Sequence, residues 1–262
     1  MPSTLPQAEL IRTGEYARKQ LFGGPSLLRW SHGSRFRMGV EVVKPYAGRR
    51  LLDYGCGDGT YLALVNDLFP DAVGAEIDPR LVEAGAERFA SLPGVSFVDP
   101  RELDAEPDGS FGVVVCMEVL EHCPDDQAHV VLSRIHRLAA RDGLVVISVP
   151  IETGPVLIAK QLARALAGRR GVSGYEHRER YSFGELLKMI APGEGTPLER
   201  PVYSAVTAPG TVSRWHGHKG FNWRALRRRV RERFTVHETR FSPLGFLGGA
   251  ASSQAWLLCS PR

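Results

Sequence analysis

Between Leu51 and Pro150 short, continuous apolar runs alternate with longer stretches whose apolar residues recur at helical spacing. The runs occupy residues 50–54, 72–76, 95–98, 112–116 and 143–149 and are rich in β-branched side chains. Continuous apolarity, in place of an in–out alternation, is the mark of parallel strands covered on both faces. Helical patterns fall between them at 59–68, 79–90 and 125–140. The second opens with Asp78-Pro79, a capping acid followed by a proline in the first turn, where its missing N–H costs nothing. This rhythm predicts βα units joined by right-handed crossovers over residues 48–150.

The flanks read differently. Residues 1–47 carry Tyr16, Phe22, Trp30, His32, Arg35 and Phe36 on one or two helices and form a helical cap expected over the ligand end of the sheet. Residues 151–220 leave the βα rhythm and read as an inserted lid. Its parts are a basic amphipathic helix near residues 155–167, a glycine-rich turn at 168–174, a helix near 183–190 and a Pro/Gly-rich stretch at 192–210. In the first of these Leu157, Ile158, Leu162 and Leu166 form an apolar side, with Lys160, Arg164, Arg169 and Arg170 nearby. Core packing is the common fate of such a stretch, and peripheral contact with a membrane is the other expectation. Residues 221–262 resume order: Asn222 caps a helix to about Arg233, and strands at 234–241 and 255–259 complete the sheet with an antiparallel edge. The fold class is therefore α/β, a mostly parallel sheet with an antiparallel last strand.

Composition narrows the setting. A chain of 262 residues is one large domain or two small ones. No run reaches the ~18–20 apolar residues of a membrane span, and the N-terminus lacks the charged-then-apolar order of a secretory signal, so a cytoplasmic protein is expected. Cys56, Cys116, Cys123 and Cys259 form no C-x-x-C pair, which excludes a zinc ribbon and leaves reduced thiols. The net charge of +4 is local, with Arg224, Arg227, Arg228, Arg229, Arg231 and Arg233 within ten residues. A solvated helix face is the ordinary reading of such a run, and nucleic acid is not expected as a partner.

The chemistry concentrates after the first strand. Asp53-Tyr54-Gly55-Cys56-Gly57-Asp58-Gly59-Thr60 is a strand-to-helix turn in which glycines let a ligand approach bare backbone at a helix N-terminus. Glu76 ends the next strand about twenty residues on, where a carboxylate accepts both hydroxyls of a ribose. Two adjacent strand ends thus describe a nucleoside site.

Residues 51–59 resemble the first motif of the class I S-adenosylmethionine-dependent methyltransferases, small-molecule type, and Val113-Val114-Val115-Cys116-Met117-Glu118-Val119-Leu120-Glu121-His122 is similar to the segment that quinone O-methyltransferases carry beside the cofactor. The resemblance implies a Rossmann-like seven-stranded sheet and S-adenosyl-L-methionine as cofactor. Asp53, Gly55 and Gly57, with Cys56 between the glycines, would then surround the methionyl end. Glu76 would take the ribose, Asp99 the adenine amino group, and Met117 and Glu118 would line the cofactor from the fourth strand. Phe111-Gly112 departs from the family's usual Phe-Asp before that strand.

Methyl transfer to a hydroxyl is helped by a base, for which histidine is best tuned at neutral pH. His122 is the first candidate and His218 the second, with His177 and His216 also available. The expected acceptor is a small-molecule or lipophilic hydroxyl, and no metal is required. An alternative takes Glu118, Glu121, His122 and His218 as one coordination sphere, resembling the metal-dependent RNA 3′-terminal 2′-O-methyltransferases. A non-catalytic scaffold is the third reading. Oligomeric state leaves no mark in the sequence.

Overall fold

The computed structural model describes residues 7–23, 26–158, 160–161, 181–208 and 211–262. Its main strands are β1 (Leu51–Tyr54), β2 (Ala72–Ala75), β3 (Val95–Val98), β4 (Phe111–Met117), β5 (Ala139–Pro150), β8 (Phe234–Ser242) and β9 (Gln254–Pro261), with a separate pair, β6 (Val202–Ala208) and β7 (Thr211–His216), between β5 and β8. The seven main strands form one sheet in the order β3-β2-β1-β4-β5-β9-β8. The first five pair in parallel, whereas β9 is antiparallel to both β5 and β8. The expected α/β sheet, mostly parallel with an antiparallel strand near its end, is the one observed.

Parallel strands need both faces covered, and adjacent residues supply opposite faces. Leu51, Val113, Val115 and Val146 pack with Phe69, Phe89, Trp256 and the helices α2 (Ser26–Val43) and α3 (Thr60–Val65). Leu52, Val114, Cys116 and Val145 pack on the other side with α5 (Asp125–Leu138) and the Trp223–Val230 helix. α4 (Pro79–Arg88) starts at the expected cap, where the Asp78 side chain accepts from the Arg80 N–H. Asn222 likewise caps the Trp223–Val230 helix.

Strand order reverses between β1 and β4, and the crevice beyond such a switch point is where open α/β sheets bind ligands. α1 (Gln7–Thr13) and α2 come before the sheet, and the Tyr16 N–H donates to Asp58 at 2.8 Å, which ties this segment to the loop after β1.

Two local expectations change, and a third gains detail. α5 ends at Leu138, short of residue 140, because Ala139 already pairs with Phe111 of β4. The Pro/Gly-rich stretch at 192–210 contains a strand, β6, which pairs antiparallel with β7 just beyond it. The arginine run is largely neutralised within the chain: Arg229 pairs with Asp125, Arg227 and Arg231 with Glu194, and Arg233 with Glu232. The glycine-rich turn at 168–174, His177 and most of the basic helix, including Leu162, Arg164, Leu166, Arg169 and Arg170, lie outside the described residues. Of that helix, Leu157 is buried and Ile158 exposed.

Candidate cofactor and acceptor site

The loop after β1 folds as it does because three of its residues need a left-handed backbone. Gly55, Gly57 and Gly59 have φ of 81°, 55° and 72°, a region in which a Cβ is penalised. A Cβ on Gly55 would also stand 2.3 Å from Val119, whereas one on Gly57 would meet nothing within 4 Å. The loop is therefore packed against the β4 end at one glycine and open at the next. Gly55 and Cys56 N–H groups donate to the Ala75 carbonyl, anchoring the loop to β2.

Three carboxylates gather around this loop. Asp53 is 2% exposed, and its carboxyl is pushed up to about 8 by burial, with Glu76 and Asp58 adding to the shift. A buried acid in that state is the complement of a cationic ligand, which would restore its charge. Glu76 accepts from the Gly57 N–H at 2.9 Å through one oxygen and from the Ile77 and Asp78 N–H groups through the other, so its position past β2 is fixed. Asp58 accepts from Thr60, in the first turn of α3, at 3.0 Å. Burial pushes the Cys56 thiol up, in keeping with a small filler that is not a nucleophile. Ile77, directly after Glu76, is 75% exposed, an apolar side chain standing at the rim. Asp99, past β3, is gripped by the Nε and Nη2 of Arg101 at 2.8 and 2.9 Å.

Glu118 follows β4 with φ 57°, a positive value shared by no other non-glycine among the described residues. Such a backbone costs on the order of 1–3 kcal/mol and survives where surroundings hold it. Here the Glu118 N–H donates to the Ser148 carbonyl, the Ser148 hydroxyl donates to Oε1 at 3.3 Å, and Arg35 lies 3.3 Å from Oε2. Arg35 arrives from α2, is buried, bonds the Tyr16 hydroxyl and lies 5.4 Å from the ring centroids of Tyr16 and Phe36. The Tyr16 hydroxyl also meets His32 Nδ1 at 3.2 Å, and burial, with Arg35 nearby, lowers that imidazole to about 4. Met117 sits at the end of β4, and a Cβ on Gly39 of α2 would lie 3.4 Å from its sulfur.

The two leading histidines, 96 positions apart, come together. His122 and His218 rings meet edge to face at 5.1 Å. The meeting is built by backbone: the His216 N–H, at the end of β7, donates to the His122 carbonyl, and His122 Nδ1 lies 2.9 Å from the His216 carbonyl. A carbonyl only accepts, so Nδ1 is the donor in this contact, and in the neutral ring Nε2 is the acceptor. That Nε2 is 3.7 Å from Glu121, which is fully buried and whose carboxyl burial, then Glu118, pushes well above the usual range. His218 Nδ1 stands 3.9 Å from Glu152, just past β5. His216 is buried and occupied by the Pro201 carbonyl at 2.8 Å.

The coordination sphere of the alternative reading is not assembled: Glu118 faces Arg35 and Ser148, and among the described residues no group of three His, Cys, Asp or Glu is placed to hold a metal ion. Sequence reasoning gave Arg35, Ile77 and Glu152 no role. Arg35 is one of several basic residues in that segment, Arg29 and Arg37 among them, so no pattern in the sequence singles it out.

A seven-stranded sheet with an acid and glycines at the β1 end and a second acid at the β2 end defines a class I S-adenosylmethionine-dependent methyltransferase, and the donor set fits that cofactor: acids for its ammonium and ribose, open backbone at Gly57. The chain belongs to the methyltransferase domain family, whose profile matches residues 35–189. It is 40% identical over 94 residues to a ubiquinone biosynthesis O-methyltransferase of Xanthomonas euvesicatoria, a match spanning 34% of this chain and 38% of that protein. Among solved structures it is similar to the glycopeptide N-methyltransferase MtfA complexed with S-adenosyl-L-methionine, with a TM-score of 0.54 at 11% identity over 87% of this chain and 93% of the other. The methyltransferase domain of bacterial CtHen1-CN gives 0.53 at 13% identity over 87% and 98%. No described helix is long and apolar enough to cross a membrane.

Proposed function

We propose that this protein transfers the methyl group of S-adenosylmethionine to a hydroxyl of a small, lipid-like acceptor. The observation that carries the reading is the His122–His218 pair, with the His122 Nε2 lone pair available four residues beyond Glu118 at the cofactor-side end of β4. The similarity to a ubiquinone biosynthesis O-methyltransferase supports a hydroxyl acceptor.

In this reading Asp53 takes the ammonium of the cofactor and Arg35 its carboxylate, Glu76 the ribose hydroxyls, Ile77 one face of the adenine, and Asp99 the adenine amino group in exchange for Arg101. Cys56, Gly55, Gly57, Met117 and Glu118 shape the cradle. Bound there, the cofactor supplies a methyl carbon on a positively charged sulfur. The protein's part is to align the acceptor and exclude water, the effect worth most in a displacement of this kind. The cap of residues 1–47 and the lid of residues 151–220 wall the acceptor against the core of 48–150, which residues 221–262 complete. His122 accepts the hydroxyl proton at Nε2 while the His216 carbonyl holds Nδ1–H, and His218 braces the ring or takes over the same duty. No metal enters.

Incubation with methyl-labelled S-adenosylmethionine and a lipid and metabolite extract, read by mass spectrometry, tests the proposal. Label in an ether of a small molecule is expected. Label on RNA 3′ ends, or none in any extract while the cofactor binds, overturns it.

A further inference from the structure

Glu152 is a buried carboxylate at the β5 end, 1% exposed, and the proposed chemistry above gives it no duty. Its backbone is held from both sides, since the Ile151 N–H donates to the Ser253 carbonyl and the Gly154 N–H to the Met189 carbonyl. A carboxylate in such a place requires a compensating partner. Lys160 provides one: its ammonium donates to Glu152 Oε1 at 2.8 Å and to the Ile151 carbonyl at 2.9 Å. The same Oε1 is the carboxylate atom nearest His218 Nδ1, at 3.9 Å.

We infer that Glu152 is a positioning residue: it orients His218 and selects the form protonated at Nδ1, leaving Nε2 as the proton acceptor. This rests on the assignment of His218 to the proton-accepting pair. Three features carry it. The oxygen that Lys160 anchors is the one facing the imidazole, so the anchor also aims the carboxylate. The neighbouring ring, His122, has its Nδ1 proton fixed by an oxygen in the same manner, through the His216 carbonyl. Both rings of the edge-to-face pair would then present Nε2. Finally, the 3.9 Å gap needs to close by only about 1 Å to become a charge-assisted hydrogen bond, and catalytic contacts of this type commonly tighten when the acceptor is bound. His218 also meets the His122 ring from the β4 end, and its sequence neighbour Lys219 has its ammonium 2.7 Å from Glu185.

Lys160 is itself helical, as are residues 155–158 and 161 near the start of the inserted segment. The ion pair therefore ties the helical turn that follows β5 to the orientation of His218.

The test is long-range proton–nitrogen NMR of the full-length protein labelled at histidine, recorded where the rings are neutral, with His218→Asn assigning the signal. The Nδ1–H form of His218 should dominate in the wild type. Glu152→Gln keeps shape but removes the charge and should shift the ratio of the two forms about tenfold toward Nε2–H, the loss expected when a hydrogen bond to an ionised group becomes a neutral one. Lys160→Met should move the ratio in the same direction through loss of the anchor. A His218 signal identical in wild type and Glu152→Gln, with both folded by thermal melting and both binding S-adenosylmethionine, overturns the inference. Failure of the functional reading shows separately, as undiminished methyl transfer by the double variant His122→Gln/His218→Asn, whatever the NMR result.

Discussion

Replacing Asp53 with asparagine tests the electrostatics of the cofactor cradle. The Asp53 carboxyl, pushed up to about 8 by burial and by Glu76 and Asp58, is mostly protonated in the free protein at pH 6–7, yet an ammonium ligand selects its ionised form. Cofactor binding should therefore release a proton, and affinity should fall as pH drops below 8, about ninefold between pH 7 and pH 6. An amide has no such proton to lose, so Asp53→Asn should flatten this limb and, by loss of a charge-assisted hydrogen bond, weaken binding at pH 8 by about 10–100-fold. Stability should move the other way. A carboxyl whose folded pKa lies above its unfolded value contributes stability that is lost as pH rises from the unfolded value through the folded one, here from about 4 to about 8. At about 1.4 kcal/mol per unit the ceiling at pH 8 is about 5 kcal/mol, less the 1–3 kcal/mol or so of an amide left short of partners. The variant should thus melt above the wild type at pH 8 and lose that advantage toward pH 5. Calorimetric titration between pH 6 and 8 and thermal melts over pH 5–8 read both. A wild-type affinity that does not change from pH 7 to pH 6, or an Asp53→Asn variant with the same pH dependence, would refute the reasoning.

Gly55→Ala should destabilise by about 2–4 kcal/mol, because it adds a Cβ at φ 81° and 2.3 Å from Val119; an unchanged denaturant midpoint would speak against the packed loop. His122→Gln should lower turnover by ~10²–10⁴-fold with the cofactor dissociation constant held, and chelators should leave the wild type active. Recovery of chelated activity by manganese or magnesium would instead favour the coordination-sphere reading. The Phe183–Ile190 helix exposes Phe183, Leu187 and Ile190 on one side, so sedimentation with acidic liposomes at low salt should retain the protein in the pellet if a lipophilic acceptor is met at a membrane; a protein left in the supernatant restricts the acceptor to soluble molecules.

Much of this was legible in the residues alone, for physical reasons. β1, β2 and β4 are covered on both faces, so their apolar runs are continuous and carry no competing helical period. Asp53, Glu76 and Asp99 stand at or just past strand ends, where strand boundaries alone locate them. Arg35 could not be read this way: twenty positions separate it from Gly55, and its importance lies in a tertiary meeting with Glu118 and Tyr16. The β6–β7 pair hid behind a Pro/Gly-rich composition, although Val202, Ser204 and Val206 alternate at strand spacing. The convergence of His122 with His218, and of His218 with Glu152, depends on that pair, since β7 ends where His216 meets His122. No local pattern reports a contact across 96 positions.

Titration of S-adenosylmethionine into the wild type and Glu76→Ala, both verified as folded, tests the central claim most directly. Glu76 stands just past β2 with its carboxylate held by three backbone N–H groups, poised for a ribose. Its loss should cost about 1–3 kcal/mol of cofactor binding, or about 5–150-fold in the dissociation constant. No binding by the wild type, or equal affinity in the two proteins, would contradict the assignment.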